Sequence, residues 1–274
     1  MAAPTRYPAG VSTETVGTAL GNLPFLNPNR IVDYDNDFLT YVAGDWTLVA
    51  DGGSTAIAIT AGTGGRLRLS AATSGAGSMQ LKSNAFAFQP STAALAGTQF
   101  WFQTGLILDA TVANPDYMVG MMKGAIATFN AATDGVYFTK ASGAPVAGTT
   151  TGWNIVLKAA AGGTSTFPLP AITLPVSSDT ISLSYYYDAK PNPTLYVFAG
   201  CAAIGVNDVL VGTLGNGASG YNNPGSLGTA GVNNLANLPG ATVLLTPSFY
   251  NGFHTGTSVL DIDYVLAACE YARV

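Results

Sequence analysis

The sequence predicts an all-β protein, an antiparallel β-sandwich or barrel, and three observations carry that expectation. Short runs with apolar residues at every second position recur from residue 31 almost to the end. Gly, Ser, Thr and Asn punctuate them as turn residues do. No long segment repeats its apolar residues every 3.6 positions, so helices should be few and short. The chain has 274 residues, enough for one large β domain or two smaller ones. No linker-like charge run or low-complexity tract divides the pattern after residue 31. A single domain over 31–274 is therefore expected, large enough to bury a core without disulfide staples.

Residues 1–30 stand apart. In MAAPTRYPAGVSTETVGTALGNLPFLNPNR neither strand nor helix period appears, and Pro4, Pro8, Pro24 and Pro28 remove backbone donors. The segment is expected to be an extended arm. Its clearly apolar residues are Val11, Val16, Leu20, Leu23, Phe25 and Leu26. Burying so few side chains does not offset the entropy of ordering thirty residues. The arm must stay loose or lie along another surface.

The strands then follow in order. GDWTLVA (44–50), TAIAIT (55–60), RLRLS (66–70), SMQLKS (78–83) and AFAFQ (85–89) are short alternating runs. FWFQTGLIL (100–108) places Phe100, Phe102, Thr104, Leu106 and Leu108 on one face, plainly the core face. Its other face holds Trp101, Gln103, Gly105 and Ile107, where a face meeting water would be polar. DYMVGMM (116–122), GVYFTKA (135–141), WNIVLKA (153–159), TISLSYYYD (180–188) and TLYVFAG (194–200) continue the series. Within ISLSYYYD the core face is Ile181, Leu183, Tyr185 and Tyr187, which leaves Tyr186 outward. TLYVFAGC also carries apolar residues on both faces, Leu195 and Val197 against Tyr196 and Phe198. A long loop excursion is expected near 205–240, rich in Gly, Asn and Pro. TVLLTPSFY (242–250) and VLDIDYVLAA (259–268) close the set, the latter with a core face of Leu260, Ile262, Tyr264 and Leu266.

Composition excludes several classes of function. Hydrophobic residues make up 48% of the chain and charged ones 9%, against about 25% charged in an ordinary domain. Wholesale disorder needs the opposite balance. No run approaches the roughly 20 apolar residues of a membrane helix, and no basic-then-apolar leader opens the chain. Net charge is −5, with ten basic residues scattered singly. Nucleic acid needs a basic stripe to neutralise phosphates, so neither nucleic acid nor membrane is an expected partner. Cys201 and Cys269 are far apart in sequence and in no metal-like spacing. Two buried free thiols are expected, with a disulfide left open.

The catalytic inventory is thin. His254 is the single histidine, and no G-x-S-x-G elbow supplies a nucleophile for it. One histidine also excludes a multi-histidine zinc site. A glycosidase needs paired carboxylates. The two glutamates, Glu14 and Glu270, lie at opposite ends of the sequence. Asp261 and Asp263 share a strand face, yet they read better as its solvated side. Asp33, Asp35 and Asp37 open like a calcium loop, but Phe38 and Gly44 stand where that motif needs Gly and Glu. Trp46, Trp101, Trp153 and Tyr185 to Tyr187 could form a sugar platform, although aromatic residues in strands are more often core. No enzymatic activity, metal or cofactor is expected. What remains is surface. Apolar residues on both sides of the sheets call for a cover, either a third layer from the same chain or a neighbouring subunit.

A family resemblance adds to this reading. MAAPTRYPAGVSTE, DNDFLTYVAGDWTL, FWFQTGLILDATVANPDYMVG, DGVYFTK, ISLSYYYDAK and VLDIDYVLAACEYARV resemble capsid decoration (cement) proteins of tailed bacteriophages, whose fold is a lectin-like jelly-roll sandwich. The 205–240 excursion and AAAGGTSTFPLPAITLPV are additional to that pattern. The resemblance implies a virion structural protein made in the host cytoplasm and bound to the outer capsid surface. It implies the major capsid protein and further copies of itself, often as a trimer, as partners. Subunit contacts are then expected at Arg6, Tyr7, Val11, Leu20 and Phe25 of the arm and at Trp101, Ile107 and Tyr196 of the outer sheet face. The alternative is a carbohydrate-binding head-fibre or adhesion module of the virion.

Overall fold

A computed structural model describes residues 31–51, 56–60, 65–71, 78–88, 99–108, 115–126, 128–141, 152–160, 162–170, 181–189, 193–201, 206–215, 227–229, 232–240, 243–253 and 258–270. Fifteen strands run through them. They are β1 Ile31–Asn36, β2 Trp46–Asp51, β3 Ala56–Thr60, β4 Arg66–Ala71, β5 Ser78–Ser83, β6 Phe100–Leu108, β7 Pro115–Lys123 and β8 Asp134–Lys140. They continue with β9 Trp153–Ala159, β10 Gly163–Pro168, β11 Ile181–Asp188, β12 Thr194–Cys201, β13 Val206–Gly215, β14 Thr246–Phe253 and β15 Ser258–Glu270. A single 3-10 turn, Ala43–Asp45, is the one helical element among the described residues.

The strands form two sheets, antiparallel throughout. One is eight-stranded, in the order β13-β12-β11-β6-β15-β4-β3, with β1 also on β15. The other is seven-stranded, in the order β10-β9-β8-β7-β14-β5-β2. Their inner faces meet in one continuous core that includes Phe100, Phe102, Leu106, Tyr185, Phe138, Ile155 and Phe249. The core face expected for β6 is the observed one, as is the Ile181, Leu183, Tyr185 and Tyr187 face of β11.

Polar side chains cross the core and fix one sheet over the other. Tyr185 donates its hydroxyl to the Val136 carbonyl at 2.8 Å and accepts from the Met121 amide at 3.2 Å. Tyr117 donates to the Val259 carbonyl at 3.2 Å. Asn251 donates to the carbonyls of Leu69 and Ser258, at 2.9 and 3.1 Å, and accepts from the Ser258 hydroxyl at 2.6 Å. These three side chains thus gain the partners that burial demands.

Three elements differ from the expectation. First, β15 does not keep Tyr264 and Leu266 on the core side. Its register against β6 slips between Ile262 and Tyr264, so the inward set runs Leu260, Ile262, Val265, Ala267, Cys269. A bulge adds one residue and exchanges the two faces beyond it. It sits where the far edge of β15 passes from β4, paired to 258–262, to β1, paired to 265–270. Second, the supposed excursion begins as a ten-residue edge strand, β13. Its later part folds back along the open side of the sandwich. Leu227 and Asn234 donate backbone bonds to the Thr213 and Gly215 carbonyls, at 3.0 and 3.1 Å. Asn237 donates to Ser165 of β10 at 2.8 Å. The excursion therefore links the neighbouring edges of both sheets and sends Leu235 into the core. Third, AFAFQ contributes only a bridge from Phe88 to Leu245.

Candidate functional site

The outer face of the eight-stranded sheet carries a row of aromatic rings. Alternation along β6 turns Trp101 away from the core. The register sets it between Tyr186 of β11 and Ala268 of β15, with Tyr196 beyond Tyr186 and Thr213 beyond Tyr196. Trp101 and Tyr186 stack at 5.2 Å between centroids and 14° between planes, and Tyr186 and Tyr196 at 5.7 Å and 15°. Such offset stacks add about 0.5–1.5 kcal/mol each beyond area burial. Phe198 and Ala268 complete the cluster.

Although it faces outward, Trp101 is 0% exposed in a single copy of the chain, and Ile107, Tyr186 and Phe198 are also buried. Tyr196 alone of the row's rings is partly open. Trp101 Nε1 and Thr213 Oγ1 are buried without a hydrogen-bond partner among the described residues. Beside the row lies a polar rim, where Gln99 donates to Asp188 at 3.1 Å. Burial first, then the neighbouring Asp188, Tyr196 and Glu270, hold the Tyr186 hydroxyl above its ordinary range. On the other side Gln103 donates to the Tyr264 hydroxyl at 3.0 Å. Of the expected contact residues, then, Trp101 and Ile107 are buried within one copy, and Tyr196 is partly exposed. Arg6, Tyr7, Val11, Leu20 and Phe25 lie outside the described residues, as does His254.

The outer face of the seven-stranded sheet is covered differently. Met118, Met122, Tyr137, Val156 and Tyr250 form a second apolar cluster under Ile126, Phe129 and Ala132 of the β7–β8 connection. Gln80 clamps that connection, donating to the Gly124 carbonyl at 3.2 Å and accepting from the Ile126 amide at 2.7 Å. Lys158 adds a bond to the Asn130 carbonyl at 2.7 Å. Gly120, at φ +154°, is required beneath the cover. A Cβ there would lie 2.6 Å from both Tyr137 Cα and the Val136 oxygen.

The groups tested for chemistry are engaged elsewhere. Asp261 receives a two-pronged bond from Arg68, both contacts 2.7 Å, and Asp263 lies 3.8 Å from Arg66. Asp33, Asp35 and Asp37 are exposed on β1 and just beyond it, and partial desolvation of the Asp35 carboxyl, followed by the charges of Asp37 and Asp33, raises its pKa. No group of three ligating side chains gathers among the described residues. All three tryptophans are buried, so none is an open sugar platform. Cys201 pairs with Ile181 on β11, whereas Cys269 pairs with Phe100 on β6, at the far ends of strands three places apart. That spacing is well beyond the Cα separation a disulfide spans. Cys269 is free and buried, and burial pushes its thiol up to about 12.

One charged residue was missed. Lys140 is buried on the core face at the end of β8, in register between Tyr117 and Trp153. Those two rings lie parallel, 6.5 Å apart at 13°. Burial lowers its pKa, against the favourable charge of Asp116. The signal was its parity with Val136 and Phe138 in GVYFTK.

No family model and no curated protein matches the chain. Solved structures do resemble it in fold. Peanut lectin is 10% identical, with TM-score 0.52 over 89% of this chain and 99% of the lectin. Lectin I from Ulex europaeus is 8% identical, with TM-score 0.53 over 87% and 98%. A protein of unknown function from Shewanella oneidensis is 11% identical, with TM-score 0.50 over 90% and 91%. The sandwich is thus of the lectin jelly-roll type, as expected.

Proposed function

We propose that the chain is a non-catalytic carbohydrate-binding module displayed on a phage particle, an adhesion or head-fibre domain. The observation that carries this reading is the extent of the fold likeness, which spans 98–99% of two lectin chains. One of these was determined with the methyl glycoside of α-L-fucose, and a further similar chain, lectin UEA-II, with galactose. Fold hosts many functions, so the reading is tested directly. A glycan array probed with the full-length chain should give reproducible binding to a defined set of sugars with no turnover. Absence of binding across the array removes it.

A second reading, a capsid decoration protein that bridges major capsid subunits, has its own support. Leu39 and Val42 after β1 are 62% and 53% exposed, and Val32 and Leu48 are exposed on β1 and β2 nearby in sequence. Exposed apolar groups of this kind mark contact surfaces when they are contiguous. Cement function requires the chain to sediment with assembled shells and to raise their melting temperature. A chain that binds glycans but ignores shells leaves the first reading alone.

A further inference from the structure

We propose that the turn between β1 and β2 is a docking site for a protein surface that carries lysine or arginine around an apolar hollow. The proposal goes beyond both readings above, since it names a partner by chemistry and needs neither a sugar nor a shell. Two observations, one of apolar surface and one of charge, fall on the same short segment. Of the eight large hydrophobic residues exposed among the described ones, Val32, Leu39, Val42 and Leu48 lie between positions 32 and 48. Leu39 and Val42 are 62% and 53% exposed in a single copy. Residues 31–65 hold Asp33, Asp35, Asp37, Asp45 and Asp51 and no Lys or Arg. That is a formal charge of −5, equal to the net charge of the whole chain; the other acidic and basic residues cancel, ten against ten.

The turn is anchored at Phe38, which is fully buried with its ring 5.7 Å from that of Trp46. The Phe38 amide bonds to Asn36 Oδ1 at 2.8 Å, and the Leu39 amide to Asp37 Oδ1 at 3.3 Å. Gly65 packs against the same backbone: a Cβ there would lie 2.5 Å from the Phe38 oxygen. With Phe38 held inward, Leu39 and Val42 stand in solvent on a turn that has little freedom to lose on docking.

The charge around them is uncompensated. Asp33, Asp35 and Asp37 are exposed and Asp45 is half-buried. The charges acting on Asp35 are those of Asp37 and Asp33, and those acting on Tyr34 are Asp45 and Asp35, all of them negative. Carboxylates that repel one another around apolar groups favour a cationic rim on the partner and reject nucleic acid and acidic lipid, which share their sign. A second copy of this chain is a poor match. Of its six described basic residues Lys140 is buried, Arg66, Arg68 and Lys123 face Asp263, Asp261 and Asp134, and Lys158 holds the Asn130 carbonyl. Lys82 remains, and one lysine is no rim.

The test titrates the full chain against a short labelled peptide of leucine and lysine, and against its leucine and glutamate counterpart, by fluorescence anisotropy. The lysine peptide should bind, less tightly as salt rises, and the glutamate peptide should not. Leu39→Ser with Val42→Ser should weaken that binding about tenfold. Asp33→Asn, Asp35→Asn and Asp37→Asn together should weaken it about as much, while Asn at 37 keeps the oxygen that accepts from the Leu39 amide. Both sets change exposed side chains, so the fold persists in each. Three results overturn the proposal: no binding of the lysine peptide, equal binding of the two peptides, or binding that either set of substitutions leaves unchanged.

Discussion

The two outer faces of the sandwich solve one problem in different ways. Both sheets carry apolar residues on the side away from the core. On the seven-stranded sheet the cover is local: Ile126, Phe129 and Ala132 of the β7–β8 connection pack over Met118, Met122 and Tyr137, pinned by Gln80. On the eight-stranded sheet the rings stand beside one another and stack, in a cluster made of that sheet's own residues. The first face is closed by hydrogen bonds to a neighbouring loop. The second depends on aromatic contact within a row and on whatever covers it. Local cover leaves little surface for a partner, whereas a row whose end ring is partly open leaves some.

The largest effect should fall on the locally covered face. In Gly120→Ala the new Cβ meets backbone of β8 at 2.6 Å, and backbone cannot yield as a side-chain tip can. Strain at a positive φ adds to the overlap. We expect a loss of about 4 kcal/mol or more, seen as a collapse of the denaturation midpoint or failure to fold. A variant with native stability would mean that this face tolerates rearrangement.

Trp101→Ala probes the other face. Removing a fully buried tryptophan should cost about 3–5 kcal/mol, although the residue lies outside the core. A cost below about 1 kcal/mol, the range of an exposed position, would show that the row is not buried in solution. Urea denaturation followed by far-ultraviolet dichroism decides this without relying on the lost fluorophore.

Much of this contrast was legible in the sequence, and the illegible parts have physical reasons. Alternation placed Trp101, Ile107 and Tyr186 on the outward side, because period two is a property of the strand alone. It also read the core faces of β6 and β11. Alternation failed at β15, where a bulge moved Val265 inward in place of Tyr264. The bulge answers to a change of partner strand, and a single strand's sequence does not contain its neighbours. The edge strands β10 and β13 were hidden for another reason. GTSTFP has few apolar residues because an edge strand is largely exposed, and VNDVLVGTLG lay within a Gly- and Asn-rich tract. Gln80 was silent as well. Its partners, Gly124 and Ile126, are 44 and 46 positions away. Among the candidate site residues, the sequence located the aromatic row and left its cover open between a third layer of the same chain and a neighbouring subunit, since burial within one copy is not visible in a pattern.

Gln80→Met sharpens the comparison at intermediate size. The side chain keeps its volume, but the Gly124 carbonyl and the Ile126 amide lose their partner. Leaving buried backbone groups unsatisfied costs about 1–3 kcal/mol each, partly recovered if the loop lifts into water. We expect about 2 kcal/mol in all. Amide exchange at Ile126 should quicken far more than at Val119 in the same sheet. Equal protection in the variant would show that apolar contact alone, not the clamp, holds this cover.

The smallest effect, and the most informative about partners, belongs to Tyr196→Ala. Tyr196 stacks on Tyr186 and is partly exposed. Its loss removes one stacking contact and a fraction of a side chain's burial, so about 1 kcal/mol is expected. Binding should respond out of proportion to stability if this open end of the row is where something lands. With a glycan or a shell as ligand, a tenfold loss of affinity beside a 1 kcal/mol loss of stability would place the contact here, because the unliganded fold barely depends on the ring. A variant that binds like the parent would move recognition to the loops between strands or to the exposed Leu39 and Val42. In that case the row serves the fold alone, and the two outer faces differ in construction but not in purpose.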